Sequence, residues 1–199
     1  MPAALPELSP EIPRRGSRPA AALGRLVLGL LGWSVRGSPP PSSKMVLIIA
    51  HHTSAWDLVV GLAAKLALRL DARYLVKHTL FRWPLGPILR HTGAIPVDRG
   101  SRHGVVEQMV REFEHRPHLL LALSPEGTRQ RVERWKSGFY HIADAAGVPI
   151  VPVGLDFRSR QVRIGPALEP TGDEAADVAE LRGFFADVEA RHPELASPG

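Results

Sequence analysis

Met45-Val46-Leu47-Ile48-Ile49-Ala50-His51-His52-Thr53-Ser54-Ala55-Trp56-Asp57 is the stretch on which the fold turns. Its first six residues are apolar, three of them β-branched, and so short a run suits a buried strand better than a helix. After it the period changes: Trp56, Val59, Val60, Ala63, Leu66, Ala67 and Leu70 recur at helical spacing. His52 therefore stands at a strand-to-helix turn, where open α/β sheets place their ligand crevices. Asp57 falls in the first turns of the helix. On a continuous helix five residues rotate by roughly 140°, so the two side chains meet only if the chain curls between them. Thr53 or Ser54 would then cap the helix. A carboxylate on one imidazole nitrogen fixes the tautomer and leaves the other nitrogen as a base. A plainer alternative is a structural His-Asp pair that caps the helix. A metal site at His51 and His52 is disfavoured, because adjacent histidines diverge and no further ligand follows at a usual spacing.

The 199 residues suit one domain with a sizeable core, at 44% hydrophobic and 23% charged. There is no cysteine, which excludes disulfides, a thiol nucleophile and thiolate metal ligands, and fits a reducing compartment. The net charge of +5 is uneven: the last 59 residues are acidic, and the basic excess lies in the part that holds the His-Asp motif. Such a balance suits a phosphate-bearing substrate or an anionic membrane surface. No nucleic-acid partner is expected, since aromatics are 6% and no helix-turn-helix, zinc-finger or RNP-like pattern is present.

Along the chain, residues 1–19 carry five prolines and no apolar period, which predicts a disordered lead. Residues 20–43 read as an amphipathic helix and a Gly-Ser-Pro linker, and residues 44–199 as the principal domain. On the helix, Leu23, Leu26, Val27, Leu30 and Leu31 share one face, opposite Arg25, Gly29, Gly32 and Arg36. It is too short, with Arg25 inside, for the roughly 20 apolar residues of a span. Trp33 and the nearby arginines suit a helix lying in the interface of an anionic bilayer, and packing on the domain's own core is the alternative. On the first reading, residues 1–36 are dispensable for the architecture of the site.

Further strands are predicted at 73–76, 94–97, 119–123 and 150–155, with an edge strand at 162–164. Helices are predicted at 105–113, at 139–146 ending on Gly147, and at 174–190. Strands alternating with helices predict a single-domain α/β sandwich with a mixed, largely parallel sheet.

Polar groups again follow the strands: Lys77 after 73–76, Asp98-Arg99-Gly100 after 94–97, and Ser124-Pro125-Glu126-Gly127-Thr128-Arg129 after 119–123. Lys77, Arg99 and Arg129 can converge on one crevice with His52 and grip an anionic acceptor that bears a hydroxyl. Glu126 among these cations is placed to orient an arginine or accept a substrate hydroxyl.

With these blocks in view, the chain resembles the glycerophospholipid acyltransferase family typified by 1-acylglycerol-3-phosphate acyltransferases. The histidine, four residues and aspartate of that family match His52 to Asp57. Its glycine, apolar strand and arginine match Gly93-Ala94-Ile95-Pro96-Val97-Asp98-Arg99. Its Phe-Pro-Glu-Gly-Thr-Arg block matches residues 124–129 with Ser124 in place of phenylalanine, and its Val-Pro-Ile-Val-Pro-Val block stands intact at 148–153. Lys136-Ser137-Gly138 also looks familial, whereas His51 stands where the family often has asparagine.

The resemblance implies acyl transfer from acyl-CoA or acyl carrier protein, with no bound cofactor and no metal. The free hydroxyl of a lysophospholipid accepts, 1-acylglycerol-3-phosphate giving phosphatidic acid. His52 and Asp57 would be catalytic. Lys77, Arg99, Glu126, Gly127, Thr128 and Arg129 would bind substrate, at the cytoplasmic face of a membrane to which the protein attaches peripherally. The oxyanion donors are expected among backbone N–H groups of residues 53–56 or the Gly127 turn. Alternatives are a different lysolipid acceptor, a membrane-associated hydrolase using the same pair on water, and a non-catalytic membrane-surface protein.

Overall fold

The computed structural model describes residues 4–98 and 102–197. They form α1 (Arg18–Leu31), β1 (Ser34–Arg36), β2 (Lys44–Ala50), α2 (Ala55–Leu68), β3 (Ala72–Lys77), α3 (Leu85–Thr92), β4 (Ala94–Val97) and α4 (Arg102–His115). β5 (Leu119–Leu123), α5 (Gly138–Ala146), β6 (Ile150–Asp156), β7 (Gln161–Ile164) and α6 (Glu174–Phe185) follow. The apolar runs of β2, β5 and β6 become strands buried on both faces, and the two central ones, β2 and β5, read as continuous hydrophobic sequence.

Among the described residues the sheet has seven strands in the order β1-β7-β6-β2-β5-β3-β4. β6, β2, β5, β3 and β4 are parallel, while β7 runs antiparallel to β6 and β1 runs parallel to β7. The α/β sandwich with a mixed, largely parallel sheet is the architecture found. One face is filled by Met109, Phe113, Phe139, Ile142 and Phe185 from α4, α5 and α6. The other is filled by Val60, Ala63, Ala64 and Ala67 of α2 together with Ile12, Leu28 and Trp33 from the N-terminal part.

That second core corrects three expectations. The proline-rich lead is not disordered where it is described. Arg15 N–H donates to Arg69 O at 2.7 Å, Asp71 N–H donates to Pro13 O at 2.9 Å, and Ile12 is only 1% exposed. Its prolines restrict the unfolded chain, so docking Leu5, Leu8 and Ile12 costs little further entropy. Trp33 is not an interfacial anchor but a core residue, set edge-on to Phe157 at 4.9 Å between ring centroids. Residues 34–36, which the helical spacing places at the end of the amphipathic helix, are instead strand β1, because Gly32 ends α1 before them. Residues 4–36 thus supply sheet and core, and residues 20–43 are not a detachable unit.

α1 uses two faces. Ser17 caps its start through Ala20 N–H, and Gly32 in the left-handed region closes it. Ala21, Gly24 and Leu28 are buried against α2, and a Cβ at Gly24 would stand 2.5 Å from Ala67 N and 2.6 Å from Ala63 O. The helices cross so closely because position 24 has no side chain. Leu23, Leu26 and Leu30 face outward instead. α3 was also missed from sequence, because Pro84 and Pro87 look like breakers; Pro87 sits in the helix's first turn, where no intrahelical N–H donor is needed.

Gly24→Ala should lower the urea midpoint by the equivalent of about 1–3 kcal/mol, the usual cost of overpacking a close contact. Leu23→Ser, on the outer face of the same helix, should leave it within about 0.5 kcal/mol. Equal midpoints for both variants would contradict the crossing as described.

Candidate active site

β2 and β5 lie side by side in parallel register, with Ile48 opposite Leu123. Three residues beyond each, the same register brings His51 to Glu126. The chain leaves β2 toward β3 on one side and returns from β5 to β6 on the other, so the order of strands reverses at this point. This is the position at which an open α/β sheet leaves a crevice at its carboxyl edge.

The turn after β2 is built around Asp57. Ser54 is the N-cap of α2, its hydroxyl accepting from Trp56 N–H at 3.2 Å, and Asp57 reaches back over the turn in a capping box. Asp57 Oδ2 accepts from Thr53 N–H at 2.8 Å, from Ser54 N–H at 2.7 Å, and lies 3.1 Å from His52 Nδ1. The chain does curl between residues 52 and 57, and the residue that stabilises the curl is the one that meets the histidine. The capping alternative and the pairing alternative are one structure. Asp57 is 2% exposed in its side chain and His52 29%, so the carboxylate is shielded while the imidazole opens to solvent. A carboxylate at Nδ1 requires the proton there, which leaves Nε2 as the acceptor. Asp57 Oδ1 is buried with no hydrogen-bond partner among the described residues, and Oδ2 carries these contacts.

Glu126 belongs to the inside of the site rather than to its open pocket. It is 2% exposed; Oε2 accepts from His52 N–H at 2.7 Å and Oε1 stands 3.4 Å from His51 Nδ1. It orients no arginine among the described contacts, because the turn directs it back onto β2. His51, weighed from sequence only as a metal ligand, is buried between Glu126 and the Phe185 ring, 6.1 Å away by centroids. Among the described residues no group of three or more His, Asp or Glu is placed to hold a metal ion.

Gly127 makes the return at φ +64, and a Cβ there would stand 2.7 Å from Lys136 Nζ. Lys136 is held over the turn by its own N–H donating to Pro125 O at 2.9 Å, so a further cation joins the site. Thr128 Oγ1 accepts from Gln130 N–H at 3.2 Å and Arg129 is exposed. Lys77 is exposed at the end of β3, on the same edge of the sheet. Arg99 lies outside the described residues.

Most of the N–H groups expected to serve as oxyanion donors are not free for that role. The N–H groups of Thr53 and Ser54 serve Asp57, that of Trp56 serves Ser54, and that of Gly127 serves Ser124 O. Nor did the sequence point to the residues beyond α6. There His192 N–H donates to Thr53 Oγ1 at 3.3 Å and Arg191 stacks over Trp56, so the C-terminal segment braces the turn between His52 and Asp57. No spacing or motif signals that contact.

Glu126→Ala leaves the buried His52 N–H without an acceptor and should cost about 1–3 kcal/mol in chemical denaturation. Glu126→Gln keeps an acceptor oxygen and should cost less. Full stability in Glu126→Ala would show that the carboxylate does not support this turn.

Comparison with known proteins agrees with the geometry. Residues 34–156, from the start of β1 to the end of β6, match the model of the Acyltransferase family. A 1-acyl-sn-glycerol-3-phosphate acyltransferase of Escherichia coli (strain K12) is 30% identical over 166 residues, which cover 78% of this chain and 66% of that protein. One of Cocos nucifera is 27% identical over 168 residues, covering 77% and 53%. The chain thus spans just under two thirds of the length of the bacterial relative. The crystal structure of a 1-acyl-sn-glycerophosphate acyltransferase from Thermotoga maritima shares the fold, with a TM-score of 0.64 at 16% identity over 88% of this chain and 80% of that one. The matched span holds His52, Asp57 and the Glu126 turn on one continuous sheet, and the chain belongs to the acyltransferase family.

Proposed function

We propose that this chain moves a fatty acyl group from an acyl thioester, acyl-CoA or acyl carrier protein, to the free hydroxyl of a lysophospholipid. The acceptor in this reading is 1-acylglycerol-3-phosphate and the product phosphatidic acid. The observation that carries it is the buried Asp57 carboxylate 3.1 Å from Nδ1 of an open His52, at the point where the strand order reverses. The relatives named above support the choice of acceptor.

In this mechanism His52 Nε2 takes the proton of the acceptor hydroxyl as its oxygen attacks the thioester carbonyl carbon. Asp57 stays ionised and stabilises the imidazolium. When the tetrahedral intermediate collapses, the C–S bond breaks and His52 returns the proton to the departing thiolate. The substrate brings its own nucleophile, so no acyl-enzyme forms. Ser54 is unsuited to that role, since its hydroxyl caps α2 and it is buried. Lys136 and Arg129 flank the Gly127 turn and serve the acceptor phosphate. Lys77, two strands from β2 at about 4.8 Å each, reaches the same pocket with its extended stem. Arg99 joins them on the strength of its motif.

The protein works in this reading as a peripheral enzyme at the cytoplasmic face of a membrane. Among the described residues no helix is long and apolar enough to cross a bilayer. The outward Leu23, Leu26 and Leu30 of α1 offer an apolar surface to an interface.

His52→Ala should cut acyl transfer by about 10²–10⁴-fold or more, the usual contribution of a positioned base, with the circular dichroism spectrum unchanged. Asp57→Asn keeps an oxygen for the Thr53 and Ser54 N–H groups, so it should fold and still lose most of its turnover. Undiminished turnover in His52→Ala ends this mechanism, and release of free fatty acid without any acceptor would assign the pair to hydrolysis. Arg129→Ala and Lys77→Ala should each raise the acceptor KM, Arg129 by about 10-fold or more through loss of a charge-assisted contact and Lys77 by less. An acceptor KM unmoved in both would place the phosphate elsewhere.

A further inference from the structure

Residues 77–91 form a second apolar surface, separate from α1. Leu80, Trp83, Leu85 and Ile88 are all exposed, Trp83 at 88%. A cluster of large exposed apolar side chains of this kind marks an interaction site more often than chance. The backbone beneath it is braced rather than loose. Phe81 N–H donates to His78 O at 3.0 Å and Gly86 N–H to Arg82 O at 2.7 Å. Arg90 stacks on Phe81, and the end of α3 is tied down by Lys65 Nζ on Thr92 O and by Tyr74 OH on Thr92 Oγ1. Hydrogen bonds and stacking are spent on a shape that turns its apolar groups outward.

Charge narrows the occupant. From residue 72 to residue 97 there is no Asp or Glu, while Lys77, Arg82 and Arg90 are interleaved with the apolar residues. A tryptophan with arginines around an apolar tip suits the boundary between headgroups and acyl chains of an anionic bilayer. Position agrees. β3 is parallel to β5 and β2, so the segment leaves the sheet at the edge where His52 opens. Trp56, Leu58 and Val59 are exposed at that edge too, on the first turns of α2.

We propose that residues 78–90, the turn and short helix between β3 and β4, are a second bilayer-contact element. It seats Leu80, Trp83, Leu85 and Ile88 in an anionic interface beside the mouth of the His52 site, so that a long-chain acceptor enters from the plane of the membrane. The proposal rests on the peripheral reading given above and extends it to a surface that α1 does not contribute.

The experiment uses the full chain and vesicles of phosphatidylcholine with and without phosphatidylglycerol. Flotation is compared for wild type, for Leu80→Ser/Trp83→Ser/Ile88→Ser, and for Leu23→Ser/Leu26→Ser/Leu30→Ser. The Leu80/Trp83/Ile88 variant should partition into phosphatidylglycerol vesicles about 10-fold or more weakly than wild type, with unchanged melting temperature and unchanged turnover on a short-chain soluble acceptor. Bromine-labelled acyl chains should quench wild-type tryptophan fluorescence, and Trp83→Phe should remove most of that quenching. If only the α1 variant is released and Trp83 is not quenched, this proposal is overturned while the peripheral reading stands. Failure of the wild type to bind any vesicle overturns both. Wild-type flotation of the Leu80/Trp83/Ile88 variant, with transfer lost only from acyl carrier protein, would assign the surface to the donor and overturn the proposal equally. Release from vesicles in a protein that transfers no acyl group would uphold the contact and remove the reaction.

Discussion

Asp57 Oδ2 receives two backbone N–H groups and lies within hydrogen-bond distance of a histidine, and most of what matters in this molecule depends on that convergence. The Ser54 N–H is one of the orphan donors of a helix start, which every helix must satisfy somehow, and the Thr53 N–H precedes it in the turn. Here a negative side chain in the first turn satisfies them, and the positive end of the helix dipole favours its charge in return. Because that carboxylate is committed on one side, its position is rigid when it meets His52 on the other. A buried anion that would be costly alone is compensated by the cap, and it shapes the imidazole without leaving its place.

The second constraint is the pairing of β2 with β5. Parallel strands in register deliver their following loops side by side, and Glu126 uses this to reach across to the backbone of His52. The turn that carries His52 is therefore gripped from three directions: by its own helix through Asp57, by the neighbouring loop through Glu126, and by the C-terminal segment through His192 and Arg191. Supporting contacts of this kind fix the imidazole within the tolerance that the proposed proton transfer would need. His51 adds to the grip from inside, where its burial against Phe185 ties the turn to the core beneath α6.

How much of this was legible in the sequence follows from how local each cause is. The strands at β2, β5 and β6 are apolar runs whose burial is written in their composition. The His52–Asp57 pair follows from a strand-to-helix switch and a capping residue, all within thirteen positions. What escaped is non-local or depends on small residues. Ile12 and Trp33 read as solvent or interface residues because nothing nearby in sequence shows the core they fill. Nothing in the sequence singles out Gly24, although it sets the α1–α2 crossing while Leu23, Leu26 and Leu30 face outward. Glu126 was placed among substrate-binding cations because its register with His51 is visible only once β2 and β5 are known to be neighbours.

The curl around Asp57 suits a neutral His52 with its proton on Nδ1 and its lone pair on Nε2. Long-range ¹⁵N–¹H correlation spectra of the full chain, with His52 assigned by comparison with His52→Ala, read that tautomer directly. A protonated Nδ1 and a bare Nε2 are expected in the neutral form. A neutral His52 with its proton on Nε2 would contradict it, since Asp57 would then face a lone pair and no base would point toward the acceptor.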